Sequence, residues 1–466
     1  MDLISTYTPR KRVHFIGIGG VGMSALAHIL LSRGFQVSGS DAHESSTTRR
    51  LGAAGAGIFF GHHADHVGDV DLIVYSSCIR PDNLELRAGH ERGIATLKRG
   101  QLLAHLMQPY TTIAVAGAHG KTTTTSLLAY MFRLAGREPT FAIGADVAVL
   151  GGNASQGQGQ FFIAESDESD GSFLYLKPSA AIVTNIDREH LDYYPDFDHI
   201  VAAYTQFISQ VDPAGAVVGC GDDPAVAQAC RGYRGLVRTY GFGTDNTVRG
   251  VDLSCTGSGS HFSVVSEGKP SGRYELRVPG KHNVANALAA LTMARHFGID
   301  ERYIAQALAQ FSGAQRRFQV RADGRIMIVE DYAHHPTEIM ATLSTAKLCG
   351  RPRIIGVFQP HRYTRTKALY EEFGRCFQDA DQVIVTDIYA ACETPIEGIS
   401  GQTVVEQIRR NGHAHVCWQP RDEVRAYVQS ELRAGDMVVI LGAGDIGSLA
   451  EELRLLTEQE AICGRP

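Results

Sequence analysis

The sequence predicts a three-domain α/β protein built mainly on parallel β-sheets. Apolar, strand-like runs alternate with helical stretches along the whole chain, which is the pattern of parallel strands joined by helical crossovers. Three strand-to-helix connections are rich in glycine, namely "VHFIGIGGVGMSAL", "TTIAVAGAHGKTTTT" and "DMVVILGAGDIGSL". The length of 466 residues corresponds to about three domains of ordinary size.

The order of the predicted elements divides the chain into domains at residues 1–108, 109–322 and 323–466. The first contains "VHFIGIGG", "FQVSGSD", "DLIVYSS" and "GIATLKRGQLLAHLM". The second begins at "TTIAVAG" and continues through "GQFFIAESDESD", "AAIVTNID" and "GAVVGCGDD" to the helix "NVANALAALTMARHFG". The polar turn "QVRADGRIM" precedes the third, whose predicted strands are "RIMIVED", "PRIIGVF", "DQVIVTDIYA" and "DMVVILG".

Composition excludes several classes of protein. Hydrophobic residues make up 44% and charged residues 20% of the chain, which is ordinary globular usage, and no apolar run approaches the ~20 residues that a membrane span needs. The net charge of -6 argues against a broad nucleic-acid-binding surface, which would be basic. The stretch "MDLISTYTPRKRVHF" lacks the apolar core of a secretory signal, and nine scattered cysteines without a C-x-x-C pair indicate reduced thiols. We therefore expect a cytoplasmic protein.

The first glycine turn has the spacing of a dinucleotide site. Gly17, Gly19 and Gly22 form G-x-G-x-x-G, and Asp41 follows Gly22 by 19 residues, about where such folds place a ribose-binding acid. Glycine turns bind the diphosphate of any nucleotide, however. From these residues alone, a nicotinamide or flavin cofactor, another nucleotide and a purely structural turn all remain open.

The stretch "GAHGKTTTT" predicts a second, sharper phosphate site. It follows an apolar strand and precedes an apolar-periodic helix, so its backbone N–H groups and the helix N-terminus can surround phosphate oxygens. Lys121 would reach the β/γ region of ATP, and the Thr122 hydroxyl would bind Mg²⁺. Val115 stands where the full Walker spacing requires glycine, so this is a shorter G-x-x-G-K-T form. The predicted ATP-binding residues of the loop are Gly117, Ala118, His119, Gly120, Lys121, Thr122 and Thr123.

Acidic and imidazole side chains follow two later strands. "FFIAESDESDGSF" contains Glu165, Asp167, Glu168 and Asp170, and "AIVTNIDREHLDYY" contains His190. Because strand ends on one side of a parallel sheet converge on the ligand crevice, we expect these groups to complete metal coordination beside the triphosphate. The alternative is a solvated acidic loop and a helix-capping histidine.

Two further clusters carry metal-ligating residue types. These are "GHHADH", with His62, His63 and His66, and "HAHVC", with His413, His415 and Cys417. Neither has a fourth ligand nearby in the sequence. A solvated turn and an ordinary strand, respectively, are therefore the favoured interpretations.

The chain resembles the Mur ligases almost from end to end. The motifs that carry the resemblance are "FIGIGGVGMS", "VSGSD", "AGAHGKTTTT", "AESDESDGSFL", "TNIDREHLD", "GKHNVANALAA", "QRRFQ", "EDYAHHPTE", "QPHRYTRT" and "GAGDIG". The resemblance implies an N-terminal Rossmann-like domain for a UDP-sugar, a central P-loop ATPase domain with a mostly parallel sheet, and a C-terminal Rossmann-like domain for an amino acid. Within the family it is the alanine-adding branch that the chain resembles.

The resemblance also implies a reaction. ATP converts the lactyl carboxylate of UDP-N-acetylmuramate to an acyl phosphate, which the amine of L-alanine then attacks, in the cytoplasmic part of peptidoglycan synthesis. Phosphoryl transfer between two anions requires positive charge and positioning more than covalent catalysis, which explains the lysine and the Mg²⁺. The substrates implied are UDP-N-acetylmuramate, L-alanine and ATP, with no nucleic acid and no membrane insertion.

Site residues follow from the same resemblance. Thr122 and Glu165 would bind one Mg²⁺ and His190 a second, while Asn283 would contact adenine or, equally, cap a helix. The UDP-sugar residues implied are Gly17, Gly19, Gly20, Gly22, Asp41, Ser76 and Ser77. The amino-acid residues implied are Tyr332, His334, His361, Arg362 and Arg365, with His334 the candidate general base. Together with Lys121 and His190, the residues His334, Arg362 and Arg365 form the predicted catalytic set.

Two departures from the family pattern matter. Ala118 replaces the usual threonine of the phosphate loop, with a small expected effect because backbone N–H groups make most phosphate contacts. No lysine lies between Lys177 and Lys269, where several sister ligases carry a carbamylated lysine, and this absence supports the alanine-adding branch. The alternatives are a ligase that attaches a whole tripeptide to the same UDP-sugar, an NAD(P)-dependent oxidoreductase, and a scaffold that hydrolyses ATP without ligation.

Overall fold

The computed structural model describes residues 11–391 and 393–463, and these residues form three β-sheets flanked by helices. This architecture confirms the predicted three-domain α/β fold. The domain limits at residues 108 and 322 remain predictions. The first ten residues, on which the predicted absence of a secretory signal partly rests, lie outside the described residues, and so does Cys392.

The first sheet is fully parallel, with the strand order β3-β2-β1-β4-β5. Its elements are β1 (Arg12–Ile16), α1 (Val21–Ser32), β2 (Gln36–Asp41), α2 (Ser46–Ala53), β3 (Gly57–Phe60), a 3-10 turn (Ala64–Val67), β4 (Leu72–Tyr75), α3 (Leu84–Glu91), β5 (Ala95–Lys98) and α4 (Arg99–Met107). The strand order reverses between β1 and β4, and ligands of open α/β sheets bind in the crevice at such a switch point. The first glycine turn lies at this point.

The second sheet has ten strands in the order β15-β14-β13-β12-β11-β10-β6-β9-β7-β8. Its first half contains β6 (Thr111–Ala116), α5 (Lys121–Leu134), β7 (Thr140–Val147), a 3-10 turn (Ala148–Leu150), β8 (Gly152–Ser155), β9 (Phe161–Glu165), a 3-10 turn (Ser172–Tyr175) and β10 (Ala180–Val183). There follow α6 (Phe197–Ser209), β11 (Ala216–Cys220), α7 (Pro224–Cys230), β12 (Leu236–Gly241), β13 (Val248–Thr256), β14 (Gly259–Ser266), β15 (Lys269–Leu276), α8 (Lys281–His296) and α9 (Glu301–Gln310). Strand β6 lies between β10 and β9, so the phosphate loop that follows it leaves from the middle of the sheet.

The third sheet has six strands in the order β16-β17-β21-β18-β19-β20 and is parallel except for β16. Its elements are β16 (Gln319–Asp323), β17 (Met327–Asp331), α10 (Pro336–Lys347), β18 (Ile354–Phe358), α11 (Tyr363–Ala368), α12 (Tyr370–Phe373), β19 (Gln382–Val385), α13 (Gly401–Arg410), β20 (Val416–Trp418), α14 (Val424–Glu431), β21 (Met437–Leu441), a 3-10 turn (Asp445–Gly447) and α15 (Ser448–Cys463). Strands β17, β18 and β21 are buried along their whole length. This burial is typical of parallel sheets covered by helices on both faces.

The histidines of "GHHADH" belong to a buried hydrogen-bond network instead of a metal site. The carboxylate of Glu85 is fully buried and accepts bonds from the Ser40 hydroxyl, from His66 Nδ1 at 2.9 Å and from the backbone N–H of His63 at 3.2 Å. His14, also fully buried, lies 3.3 Å from the same carboxylate. Burial opposes the charge, but these bonds lower the pKa of Glu85 to about 2. The network therefore fixes the loop after β3 onto β1, β2 and α3.

The second histidine cluster is also structural. His413 is buried and bonds the carbonyl of Ala380, His415 is exposed, and only Cys417 lies within a strand. Within the part of the chain that the structure describes, neither cluster supplies a group of three converging metal ligands. Free thiols are carried by Cys78, Cys220, Cys230, Cys255, Cys349, Cys376 and Cys417. Among the same residues, no helix combines the length and apolarity needed to cross a bilayer.

Replacing Glu85 by alanine should destabilise the first sheet by about 3 kcal/mol, because His14 and Ser40 would be left buried without their partner. Hydrogen exchange followed by mass spectrometry should show amides of β1 and β2 exchanging about a hundredfold faster. Glu91→Ala on the exposed end of α3, where the carboxylate only faces Arg87 at 3.9 Å, is the control and should leave exchange unchanged. Unaltered protection in Glu85→Ala would mean that the network contributes little.

Candidate active site

The first glycine turn is folded tightly against two strand ends. Gly17 has a φ of 82°, and its N–H donates to the carbonyl of Ser40. The Gly19 N–H donates to Asp41 Oδ2 at 2.8 Å, and a Cβ at Gly19 would lie 2.8 Å from the same oxygen. Asp41 therefore closes the turn itself, in addition to any ribose contact. A Cβ at Gly17 would approach Ser76 to 3.5 Å, so four of the predicted UDP-sugar residues, at the ends of β1, β2 and β4, lie close together.

The second glycine loop joins β6 to the N-terminus of α5. Gly117 has a φ of 137° and packs against Thr184, and Gly120 has a φ of 81° and packs against Asn286. A side chain at either glycine would collide with these neighbours. The backbone N–H of His119 donates to Asn185 Oδ1 at 2.8 Å, so residues that follow β10 fix the conformation of the loop. The loop thus has the rigid, glycine-dependent form that the sequence predicts.

Lys121 is a buried cation at the start of α5. Its ammonium group donates to Glu168 Oε1 at 2.7 Å and to the carbonyls of Gly117 and Ala118. Burial lowers its pKa, but the carboxylate of Glu168, with those of Glu165 and Glu189, raises it overall. Lys121 is therefore charged and faces the loop that would surround a phosphate.

Two sets of groups beside Lys121 can hold divalent cations. Thr122 Oγ1 donates to Glu165 Oε1 at 3.0 Å, so the two residues predicted for the first ion are adjacent. His190 Nε2 lies 3.3 Å from Glu168 Oε1 and 3.6 Å from Glu189 Oε2, and these three residues offer ligand atoms within 4.8 Å of one another. Carboxylate and hydroxyl oxygens suit Mg²⁺. The donor chemistry thus fits the predicted metal at both places.

A third cluster connects the phosphate loop to the third sheet. His119 Nε2 lies 2.9 Å from Asp187 Oδ2, and His119 Nδ1 lies 3.3 Å from Glu338 Oε1 on α10. The Thr337 hydroxyl also donates to Asp187, at 2.7 Å. Burial opposes the charge of His119, but the bonds to Asp187 and Glu338 raise its pKa to about 10. His335 lies near enough to form a trio of possible metal ligands with His119 and Asp187. Because the imidazole of His119 is charged, however, its ion pairs with the carboxylates are favoured over the binding of a metal ion.

A cavity of about 670 Å³ opens beside the phosphate loop, between the second and third sheets. Its lining includes loop residues together with Asn283, His282, Tyr240 and Phe318, and its volume suits a nucleotide. Asn283 is buried and donates to the carbonyl of Pro279. Helix α8 is preceded by Gly280 as its N-cap, so the helix-cap interpretation of Asn283 is wrong. Contact with the adenine base stays a prediction.

A second, much smaller cavity of about 130 Å³ lies next to His190. It is lined by Arg188, Glu189, His190, Leu191, Asp192, Arg362, Thr364, Arg365, Ala368 and Leu369. Arg362 Nη1 donates to Asp192 Oδ2 at 3.0 Å, and Arg365 Nη2 lies 3.6 Å from Glu189 Oε1. Arg362 precedes α11 with a φ of 68°, so the two predicted arginines reach this cavity from a turn and a helix, respectively.

The remaining predicted amino-acid residues lie near Glu189 and Arg365. His334 Nδ1 bonds the carbonyl of Tyr332 at 2.9 Å, and its Nε2 lies 3.7 Å from Glu189 Oε1. Burial, and then the charge of Arg365, lower the pKa of His334 to about 4. The ring is therefore neutral at physiological pH, with its bare Nε2 facing the site. His361 bonds Arg365 Nη1 at 3.0 Å.

Several residues of this site are absent from the set predicted from the sequence. These are Asp187, Glu189, Arg317 and Glu338, and Glu168 is predicted only as one of four acidic residues. The positions of Asp187 and Glu189 after β10 are a signal that could have identified them, because that strand end also carries His190. Glu338 carries no such signal, since "HPTE" is a good helix-capping sequence and its side chain does bond the His334 N–H.

Family models and known proteins match this chain over most of its length. The models are the Mur ligase family catalytic domain at residues 12–111, the Mur ligase middle domain at residues 115–294 and the Mur ligase glutamate ligase domain at residues 316–444. The UDP-N-acetylmuramate–L-alanine ligase of Pelotomaculum thermopropionicum is 45% identical, covering 97% of this chain and 99% of the relative. That of Carboxydothermus hydrogenoformans is 44% identical, with coverage of 97% and 99%. The solved UDP-N-acetylmuramate-alanine ligase of Thermotoga maritima superposes with a TM-score of 0.84 at 28% identity, covering 97% of this chain and 100% of that one.

The charge of His119 can be measured by a histidine NMR titration. With a pKa of about 10, the imidazole should remain protonated at pH 8; the stabilisation from its ion pairs should be complete below the ordinary pKa of 6.5 and should be lost progressively as the pH rises from there through about 10. In Asp187→Asn the pKa should fall toward the ordinary 6.5, because one of the two carboxylates loses its charge. Asp245→Asn, at an exposed and remote site, is the control. A wild-type His119 that titrates near neutrality would contradict this assignment.

Proposed function

This chain belongs to the Mur ligase family, and from that premise we propose that it joins L-alanine to the lactyl carboxylate of UDP-N-acetylmuramate at the expense of ATP. The relatives named above carry this activity in their names, and they match the chain over nearly its whole length. The observation that carries the proposal is the placement of the two cavities. The phosphate loop lines the nucleotide-sized cavity, and Glu189 and His190, which lie beside the Glu168 partner of Lys121, line the small arginine-lined cavity. The reaction belongs to the cytoplasmic stage of peptidoglycan synthesis.

The phosphate loop performs the first half of the reaction in this proposal. Backbone N–H groups of the loop and the N-terminus of α5 bind the phosphates of ATP, and Lys121 balances the charge of the transferred phosphoryl group. Thr122 and Glu165 hold one Mg²⁺, and His190 holds a second with Glu168. When bound, Mg²⁺ neutralises phosphate and carboxylate oxygens so that one anion can approach another. The product of this half is the acyl phosphate of the lactyl group, with ADP.

The small cavity performs the second half. Arg362 and Arg365 bind the carboxylate of alanine, since guanidinium groups pair well with planar anions. The amine then attacks the acyl carbon, the C–N bond forms, and phosphate leaves as the C–O bond of the acyl phosphate breaks. His334 remains the candidate that receives the amine proton, because its Nδ1 bond to Tyr332 leaves Nε2 free to accept one. Tyr332 packs against the guanidinium of Arg317, 5.1 Å from its ring centre, and so supports this side of the site.

The volume of the small cavity favours a single amino acid over a tripeptide. A space of about 130 Å³ is small and suits a molecule with as few heavy atoms as alanine. Leu191, Ala368 and Leu369 give it an apolar wall. A tripeptide would require a much larger opening at this position.

Purified protein supplied with ATP, Mg²⁺ and UDP-N-acetylmuramate should release phosphate when L-alanine is added. Parallel assays contain glycine, L-serine or the cell-wall tripeptide in place of alanine, and mass spectrometry identifies the product. Release that requires the tripeptide would assign the chain to the recycling activity. Release that is indifferent to sugar and amino acid would indicate a simple ATPase, and tight NAD(H) binding without UDP-sugar binding would indicate an oxidoreductase.

Lys121→Ala should reduce alanine-dependent phosphate release by at least about 100-fold, because the transferred group loses its buried counter-charge. Binding of UDP-N-acetylmuramate should change by less than about twofold, since that site lies on another sheet. Lys347→Ala, at an exposed lysine paired with Asp379 on the third sheet, is the matched control. Ligase activity retained in Lys121→Ala would show that the phosphate loop is misassigned.

A further inference from the structure

Arg99 lies between the first glycine turn and the acidic segment that follows β9. It is the first residue of α4, and its side chain is only 16% exposed. Its Nη2 donates to Asp167 Oδ2 at 2.8 Å and lies 3.4 Å from Ser172 Oγ. Arg99 therefore extends from the first sheet to the acidic segment that follows β9 of the second.

The opposite edge of the same guanidinium packs on the first glycine turn. A Cβ at Gly22 would lie 2.9 Å from Arg99 Cδ, 3.2 Å from Nη1 and 3.3 Å from Nε. Gly22 is the second residue of α1, and its missing side chain is what allows the guanidinium to approach. The third glycine of the motif thus makes room for an arginine.

This placement concentrates positive potential at one point. The first N–H groups of α1 have no partner within the helix, and the helix dipole is positive at that end. Arg99 brings a full positive charge to the same helix end, which is unfavourable unless negative charge compensates it. The carboxylate of Asp167 balances the charge at Nη2 of the guanidinium. The other two nitrogens, Nη1 and Nε, face the first glycine turn. An anion between Arg99 and the start of α1 would accept hydrogen bonds both from the guanidinium group and from the unpaired N–H groups of the helix.

We propose, resting on the function proposed above, that Arg99 binds the diphosphate of the UDP-sugar and that Asp167 positions it. A diphosphate fits because it offers oxygens both to the N–H groups of α1 and to the guanidinium. Asp167 lies two residues after Glu165 and immediately before Glu168, the residue bonded to Lys121. The Arg99–Asp167 pair therefore connects the diphosphate directly to the segment that holds the metal and the phosphate-loop lysine.

The environment of Asp167 supports this role. Its Oδ1 accepts the backbone N–H of Ser169 at 3.0 Å, so the carboxylate is held from two directions. Close packing reinforces the contact, because a Cβ at Gly100 would lie 2.5 Å from Ser172 Cβ. The arginine is thus presented in one orientation.

Calorimetry with two ligands, UDP and uridine, tests the proposal in the full-length protein. Arg99→Ala should bind UDP about tenfold or more weakly, because charge-assisted bonds to the diphosphate are lost, while uridine binding should stay within about twofold. Arg99→Lys should retain part of the UDP affinity. Asp167→Asn should weaken UDP binding by less than Arg99→Ala does, because the guanidinium remains but is less well oriented. Arg87→Ala, an exposed arginine on the first sheet, is the control and should bind both ligands normally.

Kinetics provide a second measurement. The KM for UDP-N-acetylmuramate should rise in Arg99→Ala while the KM for ATP stays within about twofold, and added guanidinium ion should restore part of the loss. Equal losses of UDP and uridine binding would indicate a merely structural arginine and overturn the proposal, as would unchanged UDP binding. If wild-type protein lacks alanine-dependent phosphate release but the UDP effect of Arg99→Ala is present, the proposed function fails and diphosphate binding by Arg99 stands. If wild-type activity is present and the UDP effect absent, only the role of Arg99 fails.

Discussion

The buried ion pair between Lys121 and Glu168 is the interaction on which the site depends. Lys121 begins the helix after β6, and Glu168 lies in the segment after β9, so the pair forms only because these strands are neighbours in the second sheet. Glu168 also faces His190, which follows β10 on the other side of β6. One carboxylate thus joins three adjacent strand ends. Removing it would leave a lysine buried without its counter-charge, which is costly in a protein interior.

The third sheet completes the site through charges that it brings to the same strand ends. His119 of the phosphate loop is held between Asp187 of the second sheet and Glu338 of the third, and Arg362 reaches Asp192 across the same boundary. These contacts enclose the region where an acyl phosphate would form. Exclusion of water there protects such an intermediate from hydrolysis and strengthens every charge interaction around it.

The parts of this structure that the sequence predicts are those encoded locally. The strand, glycine loop and helix at "TTIAVAGAHGKTTTT" are contiguous, so the phosphate loop can be recognised without knowledge of the fold. Contacts between distant segments cannot be recognised in this way. Arg99 and Asp167 are 68 residues apart in the sequence, and Thr337 and Asp187 are 150 residues apart. Nothing in the composition of either segment specifies its partner. The histidines of "GHHADH" illustrate the same limit, because their partner Glu85 lies on a later helix and turns an apparent metal motif into a structural network.

The charges around the candidate active site also indicate which carboxylate is best placed to hold the first Mg²⁺ proposed above. The site transfers a phosphoryl group between anions, yet it is lined by acids, and most of these are already balanced by protein cations. Asp167 faces Arg99, Glu168 faces Lys121 and Glu189 lies near Arg365. Glu165 is the exception: it accepts bonds from the Thr122 hydroxyl and the Gly144 N–H, and among the described residues it forms no ion pair. Half-buried beside the phosphate loop with only neutral hydrogen-bond partners, Glu165 leaves its charge available to a cation that arrives with the nucleotide, and the adjacent Thr122 hydroxyl would complete the donor pair of the proposed Mg²⁺.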